Sequence, residues 1–388
     1  MHICLVGPCS PSGLSDLLFG EDAAYAIEYD GFGGIPVIEL ARGLIESGHR
    51  VTVVTTPASR FTPGAVFRGP ALQIVCVPQR GATRSIIDGY RRESRLMGAA
   101  IREAAPDIVH AHWTYEFALG ALSSGLTVVV TAHDSPFTVL RYLRHPYRVG
   151  RLIVAFRVAL KARHLSTVSP VLAQRWKRQM LFRRPVEVIP NSIPHDVLPL
   201  ERRVSHTPTI ISIGSPGRLK NIQSLLTAFK IVRSANPDVQ MRLIGPGLNS
   251  GGRFHVSATK AGLDERVTFV GEVDRETLAK EYSSAWLMVH PSLEESFGLV
   301  LIEGVMSGIP VVGGIQSGAV PFVLGYGKAG TLVDVTEPKQ MATAILECFI
   351  AGAPGLPNGA VAYIETNFSA GNVTAQYLAW YGKVLEKP

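Results

Sequence analysis

Short apolar runs alternate along this chain with stretches whose apolar residues recur every three to four positions, the pattern of strands alternating with helices. The first run, His2–Val6, leads into a long Gly-, Pro- and Ser-rich loop over 8–32 that ends at Gly31-Phe32-Gly33-Gly34. Ile35, Val37, Ile38, Ala41, Leu44 and Ile45 then fall on one helical face. Gly48 closes that helix, and 51–55 reads as the next strand. Two further apolar strands, 107–110 and 127–131, have histidines at their ends, and 186–189 is the last strand of this series. A polar, basic stretch over 199–208 reads as a linker. A second series follows, with strands at 210–213, 241–244, 267–270, 287–289 and 310–312 and helices between them. The tail over 369–385 is helical, with Val373, Tyr377, Leu378 and Tyr381 on one face. The expectation is an α/β protein of two Rossmann-like domains facing a cleft, 1–200 and 201–368. A terminal helix, 369–388, is expected to cross back to the first domain.

The chain has 388 residues, 46% of them hydrophobic and 18% charged, which suits two cores and excludes a disordered chain. Its four cysteines, Cys4, Cys9, Cys76 and Cys348, have neither metal-ligand nor disulfide-framework spacing, which fits a reducing compartment. The first residues lack the basic start and small-residue cleavage site of a signal peptide, and no apolar stretch reaches the roughly 18–20 residues of a membrane helix. A cytoplasmic protein is expected.

Charge is unevenly placed. Residues 1–200 hold 22 Lys and Arg against 15 Asp and Glu, whereas 201–388 hold 16 of each. Within 141–184 there are 12 basic residues and no acidic one. One reading is a solvated helix face. The sharper one is peripheral docking on an anionic membrane, at its inner face, with Trp176, Met180, Leu181 and Phe182 among the basic residues as interfacial helices have them. Nucleic-acid binding is disfavoured, because no recognised binding module accompanies the bases.

The segment richest in chemistry runs from His290 to Val312 and contains Pro291-Ser-Leu-Glu-Glu295-Ser296-Phe297-Gly298-Leu299 and Glu303. It follows a strand, opens a helix and runs into another strand. The loop between Ser292 and Gly298 would put free N–H groups at the start of that helix, where the helix dipole also suits a diphosphate. Glu295 lies in the loop and Glu303 eight residues later, and from Phe297 to Glu303 the rise is about 10 Å at about 1.5 Å per residue. At that distance they hold two ends of one long ligand rather than share a proton.

This segment resembles the E-x7-E region of the large retaining glycosyltransferase family of the GT-B kind (family 4-like, group 1), which includes sucrose, mannosyl and lipopolysaccharide-core transferases. The resemblance implies that Glu295 binds the transferred sugar, Glu303 the nucleotide ribose, and the amides around Phe297, Gly298 and Leu299 the phosphates. A second element, Ile213-Gly214-Ser-Pro-Gly-Arg218-Leu-Lys220-Asn221, carries the family's Lys-Asn pair. Ser215 stands where the family has Arg, and Arg218 is the candidate replacement. Lys220 and Arg218 would offset charge on a leaving diphosphate, with Gly214 and Asn221 beside them.

In the first domain, Gly33-Gly34 allows close approach to phosphate or acceptor, and His133 stands where the family has a histidine that bonds the donor sugar. His110 and His112 are expected to split, one into the packing and one into the cleft. Asp134 is a minor candidate for base or nucleophile. The segment 189–194 has Ser192 and Pro194 in place of the family's Gly and Asp, and Phe322 removes a carboxylate from the Ser317–Phe322 stretch. The resemblance implies metal-free, retaining transfer from a nucleotide-diphosphate sugar to an acceptor hydroxyl (glycan, lipid-linked or small molecule), with no cofactor. The alternatives are an epimerase or phosphorylase of the same fold, or a non-catalytic sugar-nucleotide-binding protein.

Overall fold

A computed structural model describes residues 1–197, 202–350 and 352–386, so the expected boundary at 200/201 and the first residues of the expected linker lie outside the described residues. The chain forms two compact units, Met1–Pro194 together with the tail from Phe368, and His195–Asn367.

The first unit is built on β1 His2–Val6, β2 Arg50–Thr55, β3 Ala65–Arg68, β4 Leu72–Cys76, β5 Ile108–His112, β6 Val128–Ala132, β7 His164–Thr167 and β8 Val186–Val188. Their order in the sheet is β3-β4-β2-β1-β5-β6-β7-β8, parallel throughout except where β3 runs against β4. Every residue of β5 and β6 is buried, as expected of strands with helices on both faces. The tail is part of this core. Its helix Ala370–Leu385 buries Val373, Tyr377, Trp380, Tyr381 and Val384 and lies against the helix Ile35–Glu46. The two helices approach closely at Gly43, where a Cβ would stand 2.1 Å from Thr374 Oγ1.

The second unit has β9 Thr209–Ile213, β10 Gln240–Ile244, β11 Val267–Gly271, β12 Leu287–His290, β13 Val311–Gly314 and β14 Thr331–Val333, all parallel in the order β11-β10-β9-β12-β13-β14. The change of direction between β9 and β12 brings the loops after these two strands side by side, the usual ligand position in an open parallel sheet.

Three expectations need correction. The 8–32 segment is not only loop: it contains a 3-10 turn, Pro11–Leu17, and a helix, Gly20–Glu28, that bury Leu14 and Ala26. Glycine at its first position hides that helix from the pattern. His110 and His112 do not split; both are buried, with ring centroids 4.2 Å apart, because residues two apart on a strand point the same way. In the basic stretch, Trp176, Met180 and Phe182 are core residues, and only Leu181 of the four is exposed. Trp176 is held by its indole N–H, which donates to Asp134 O at 3.0 Å. These residues therefore cannot form an interfacial face. No helix among the described residues is long and apolar enough to cross a membrane.

Candidate functional site

In the second unit, the loop after β9 and the loop after β12 are sewn together by main-chain and side-chain bonds. Leu293 N–H donates to Leu219 O at 2.8 Å, and the buried Ser292 hydroxyl donates to the same carbonyl at 3.2 Å. This brings Lys220, at the end of a short 3-10 turn Arg218–Lys220, to Glu295, with Nζ 2.5 Å from Oε1. His290, the buried last residue of β12, places Nε2 3.0 Å from the same oxygen. Burial pushes the Glu295 carboxyl up, but the His290 hydrogen bond and the Lys220 charge outweigh it and hold it at about 2. Glu295 is therefore an ionised acceptor at neutral pH.

A third loop, after β13, closes on the same residue. Ala319 N–H donates to Glu295 O at 2.9 Å. Gly318, at φ +60°, makes that approach feasible: a Cβ there would stand 1.9 Å from Glu294 Oε1.

Gly298 follows at φ +98°, a left-handed cap that starts the helix Leu299–Met306. Leu301 N–H donates back to Gly298 O at 3.0 Å, so the amides of Gly298, Leu299 and Val300 precede the first bond of the helix. Ser296 is half-buried and Phe297 buried against the unit. One turn into that helix, buried Glu303 accepts from Arg275 Nη1 at 3.1 Å and from the Tyr282 hydroxyl at 2.9 Å. Arg275 also forks onto Asp196. Burial and the Glu303 charge push the Tyr282 phenol well up, so it is a permanent donor. A cavity of about 230 Å³ opens beside Glu303, lined by Asp196, Val197, Arg275, Leu278, Tyr282 and Ser307 among others. Glu295 and Glu303 thus belong to separate hydrogen-bonded groups.

The remaining residues of the β9 loop differ in their engagement. Asn221, in the left-handed region at φ +52°, donates from Nδ2 to Val335 O at 2.8 Å and accepts from Ser224 at 2.7 Å. Its side chain holds the loop in place. Gly214 ends β9, and Gly245 from the β10 turn packs so tightly on it that a Cβ there would stand 2.0 Å from Gly214 O. Arg218 is exposed and makes no ion pair with a described carboxylate.

In the first unit, Gly34 caps the helix Ile35–Glu46 at φ +98°, where a Cβ would meet Pro8 O at 1.9 Å, while Gly33 at φ +47° has open space. His133 follows β6, stacked on Trp113 at 4.2 Å, with Nε2 2.9 Å from His112 Nδ1. Burial lowers His133 to about 3, so it acts as a neutral hydrogen-bonding ring. His110 bonds Tyr381 at 2.6 Å and Thr131 at 2.7 Å, which ties the tail helix to the sheet. Asp134 accepts from Tyr115 at 2.8 Å, and burial raises its carboxyl.

Sequence reasoning passed over His290, Arg275 and Tyr282. His290 was visible as the polar end of an apolar strand. Arg275 and Tyr282 lie 28 and 21 residues before Glu303, on a helix with no motif.

Comparison with known proteins assigns the family of the chain. Residues 201–350 match the family model "Glycosyl transferases group 1", and residues 35–197 match "Glycosyltransferase Family 4". A D-inositol 3-phosphate glycosyltransferase of Corynebacterium kroppenstedtii is 36% identical over 146 residues, 36% of this chain and 32% of that protein, so the match spans about a third of that relative. A phosphatidyl-myo-inositol mannosyltransferase of Mycolicibacterium smegmatis is 28% identical over 339 residues, 82% of this chain and 81% of that protein. Among solved structures, a sucrose-phosphate synthase from Thermosynechococcus elongatus shares the fold, with a TM-score of 0.79 at 20% identity over 100% of both chains. The two adjoining family matches, each falling on one α/β unit, lead to one conclusion: the chain belongs to the group 1, family 4 glycosyltransferases of the GT-B fold.

Proposed function

We propose that the protein is a retaining hexosyltransferase that moves a sugar from a nucleotide-diphosphate sugar to an acceptor hydroxyl, with no metal or other cofactor. The observation that carries this reading is the Lys220–Glu295–His290 group, lying beside the N-terminus of the helix Leu299–Met306. A cation, an ionised acceptor and free amides are there in one unit, as an anionic leaving group and a polyhydroxylated sugar together require.

In this mechanism the acceptor oxygen forms its bond to the anomeric carbon on the face from which the diphosphate leaves. The carbon–phosphate-oxygen bond breaks, and a departing phosphate oxygen takes the acceptor's proton. Lys220, Arg218 and the amides of Gly298 and Leu299 offset the charge on the diphosphate. Glu295 accepts from sugar hydroxyls, and Glu303 from the ribose. By the family resemblance, His133 hydrogen-bonds the transferred sugar and Gly33-Gly34 adjoins phosphate or acceptor. The acceptor belongs to the first unit, where a cavity of about 310 Å³ is lined by Phe32, Arg60, Gln79, Arg80, Tyr147 and Arg151 among others.

The test is release of nucleoside diphosphate from UDP-, GDP-, ADP- and TDP-hexoses, with the product anomer read by NMR. Lys220→Ala should lower turnover on the order of 100-fold. Near-normal turnover in that variant contradicts the assignment. Conversion of donor without acceptor would mark an epimerase, and release of a sugar phosphate a phosphorylase. A non-catalytic binder is the second reading, favoured by Ser215 in place of the family's Arg and by the exposure of Arg218. It predicts nucleotide binding with no turnover.

A further inference from the structure

The helix Pro146–Lys161 buries Val154, Ala155, Val158 and Ala159. Its opposite face is not polar. Val149, Ile153, Phe156 and Leu160 form one lengthwise stripe, with Ile153 58% and Leu160 78% exposed. Phe137, from the helix Pro136–Tyr142, continues the stripe by meeting Phe156 edge-on at 5.9 Å. Beside it on the same helix stand Arg157 and Lys161. With Arg91, Arg95 and Arg102 of the helix Arg91–Ala104 they line a cavity of about 310 Å³ that has no carboxylate in its wall.

The acids of the surrounding helices are paired with other residues or lie outside this cavity. Glu93 is buried on Arg80, Glu116 pairs with Arg151, and Glu103 lines a different cavity with His2 and Arg50. Among the described residues, none of the five cations has an ion-pair partner.

An aliphatic stripe left in water carries a transfer cost, and five uncompensated cations attract anions. An anionic bilayer satisfies both at once, with phosphates against the cations and the acyl boundary against the stripe. A nucleic acid would meet the cations and leave the stripe wet. We propose that this face, formed by the helices Arg91–Ala104 and Pro146–Lys161, docks the protein on an anionic lipid surface. The basic cavity takes a phosphate headgroup, and Ile153 and Leu160 enter the acyl boundary. This holds whether or not the transfer reading holds, since none of these residues belongs to the proposed transfer chemistry.

The test is co-sedimentation of the full chain with phosphatidylglycerol/phosphatidylcholine vesicles and with phosphatidylcholine vesicles alone, at low and physiological salt. Two double variants are compared, Ile153→Asp with Leu160→Asp, and Arg95→Glu with Lys161→Glu. Circular dichroism melts verify folding, and Ile153→Ser with Leu160→Ser replaces the aspartates if they unfold the protein. The expected result is binding to anionic vesicles only, weakened on the order of 10-fold or more by either pair, with unchanged melting. Failure of the wild type to bind anionic vesicles at low salt overturns the proposal. So does undiminished binding in the apolar variants. Preferential binding of duplex DNA over vesicles overturns it too, and would assign the face to a soluble polyanion.

Discussion

At Glu303 the direction of the carboxylate rests on two neighbours with no motif of their own. The Tyr282 hydroxyl and the Arg275 guanidinium take one carboxylate oxygen each, at 2.9 and 3.1 Å, and fix the direction in which the remaining lone pairs face. If Glu303 receives the ribose, Tyr282 is a positioning residue for donor binding and plays no part in bond breaking. Tyr282→Phe should therefore raise the donor KM several-fold and leave kcat within about two-fold, as expected for interactions shared by ground and transition states. A matching loss in kcat would show that Tyr282 acts in the transition state instead. The sequence made Glu295, Glu303 and Lys220 readable because they sit in contiguous motifs. Their partners were not readable, because His290, Arg275 and Tyr282 reach them only after the chain has folded.

Among the elements, most strands of both sheets were legible because burial on both faces writes them as apolar runs, as in β5, β6 and β12. The elements that escaped were those with weak local signals. β7, with the sequence His-Leu-Ser-Thr, and β14, with three residues, are too short for a pattern, and the helix Gly20–Glu28 begins on a glycine. Loop closeness was equally invisible, since it depends on glycine positions that come together across the sheet edge. Gly318 is one of these. Gly318→Ala would combine φ +60° with a Cβ 1.9 Å from Glu294 Oε1 and 2.3 Å from Glu295 O. It should lower stability by about 1–3 kcal/mol and disturb donor binding, whereas Gly33→Ala, with open space around it, should show only a backbone cost of about 1 kcal/mol. Urea unfolding of the two variants measures the difference; equal stabilities would mean the β13 loop does not close on Glu295.

Across the whole molecule, the titration of buried histidines sets the acid limit. Burial lowers His110, His112 and His133, with their mutual repulsion adding to the effect at His110 and His112. The unfolded chain takes up these protons near the ordinary 6.5, but the folded one does not until far lower pH, near 3 for His133. Their contribution is therefore complete above about pH 6.5 and declines as pH falls below it, by up to about 1.4 kcal/mol per pH unit for each ring that stays neutral. The melting temperature should fall from pH 6.5 to 5, and less steeply in His110→Gln. A flat profile would mean that these rings protonate in place.

A nucleotide-sugar site in the second unit should show itself in thermal shift against UDP-, GDP-, ADP- and TDP-sugars, measured with and without EDTA. A ligand specific to the folded state adds about 2.7 kcal/mol of stability at a hundred times its dissociation constant. The melting temperature should rise with one nucleotide family, a rise retained in EDTA and lost in Lys220→Ala. No shift with any of the four, or a shift abolished by EDTA, would contradict this assignment.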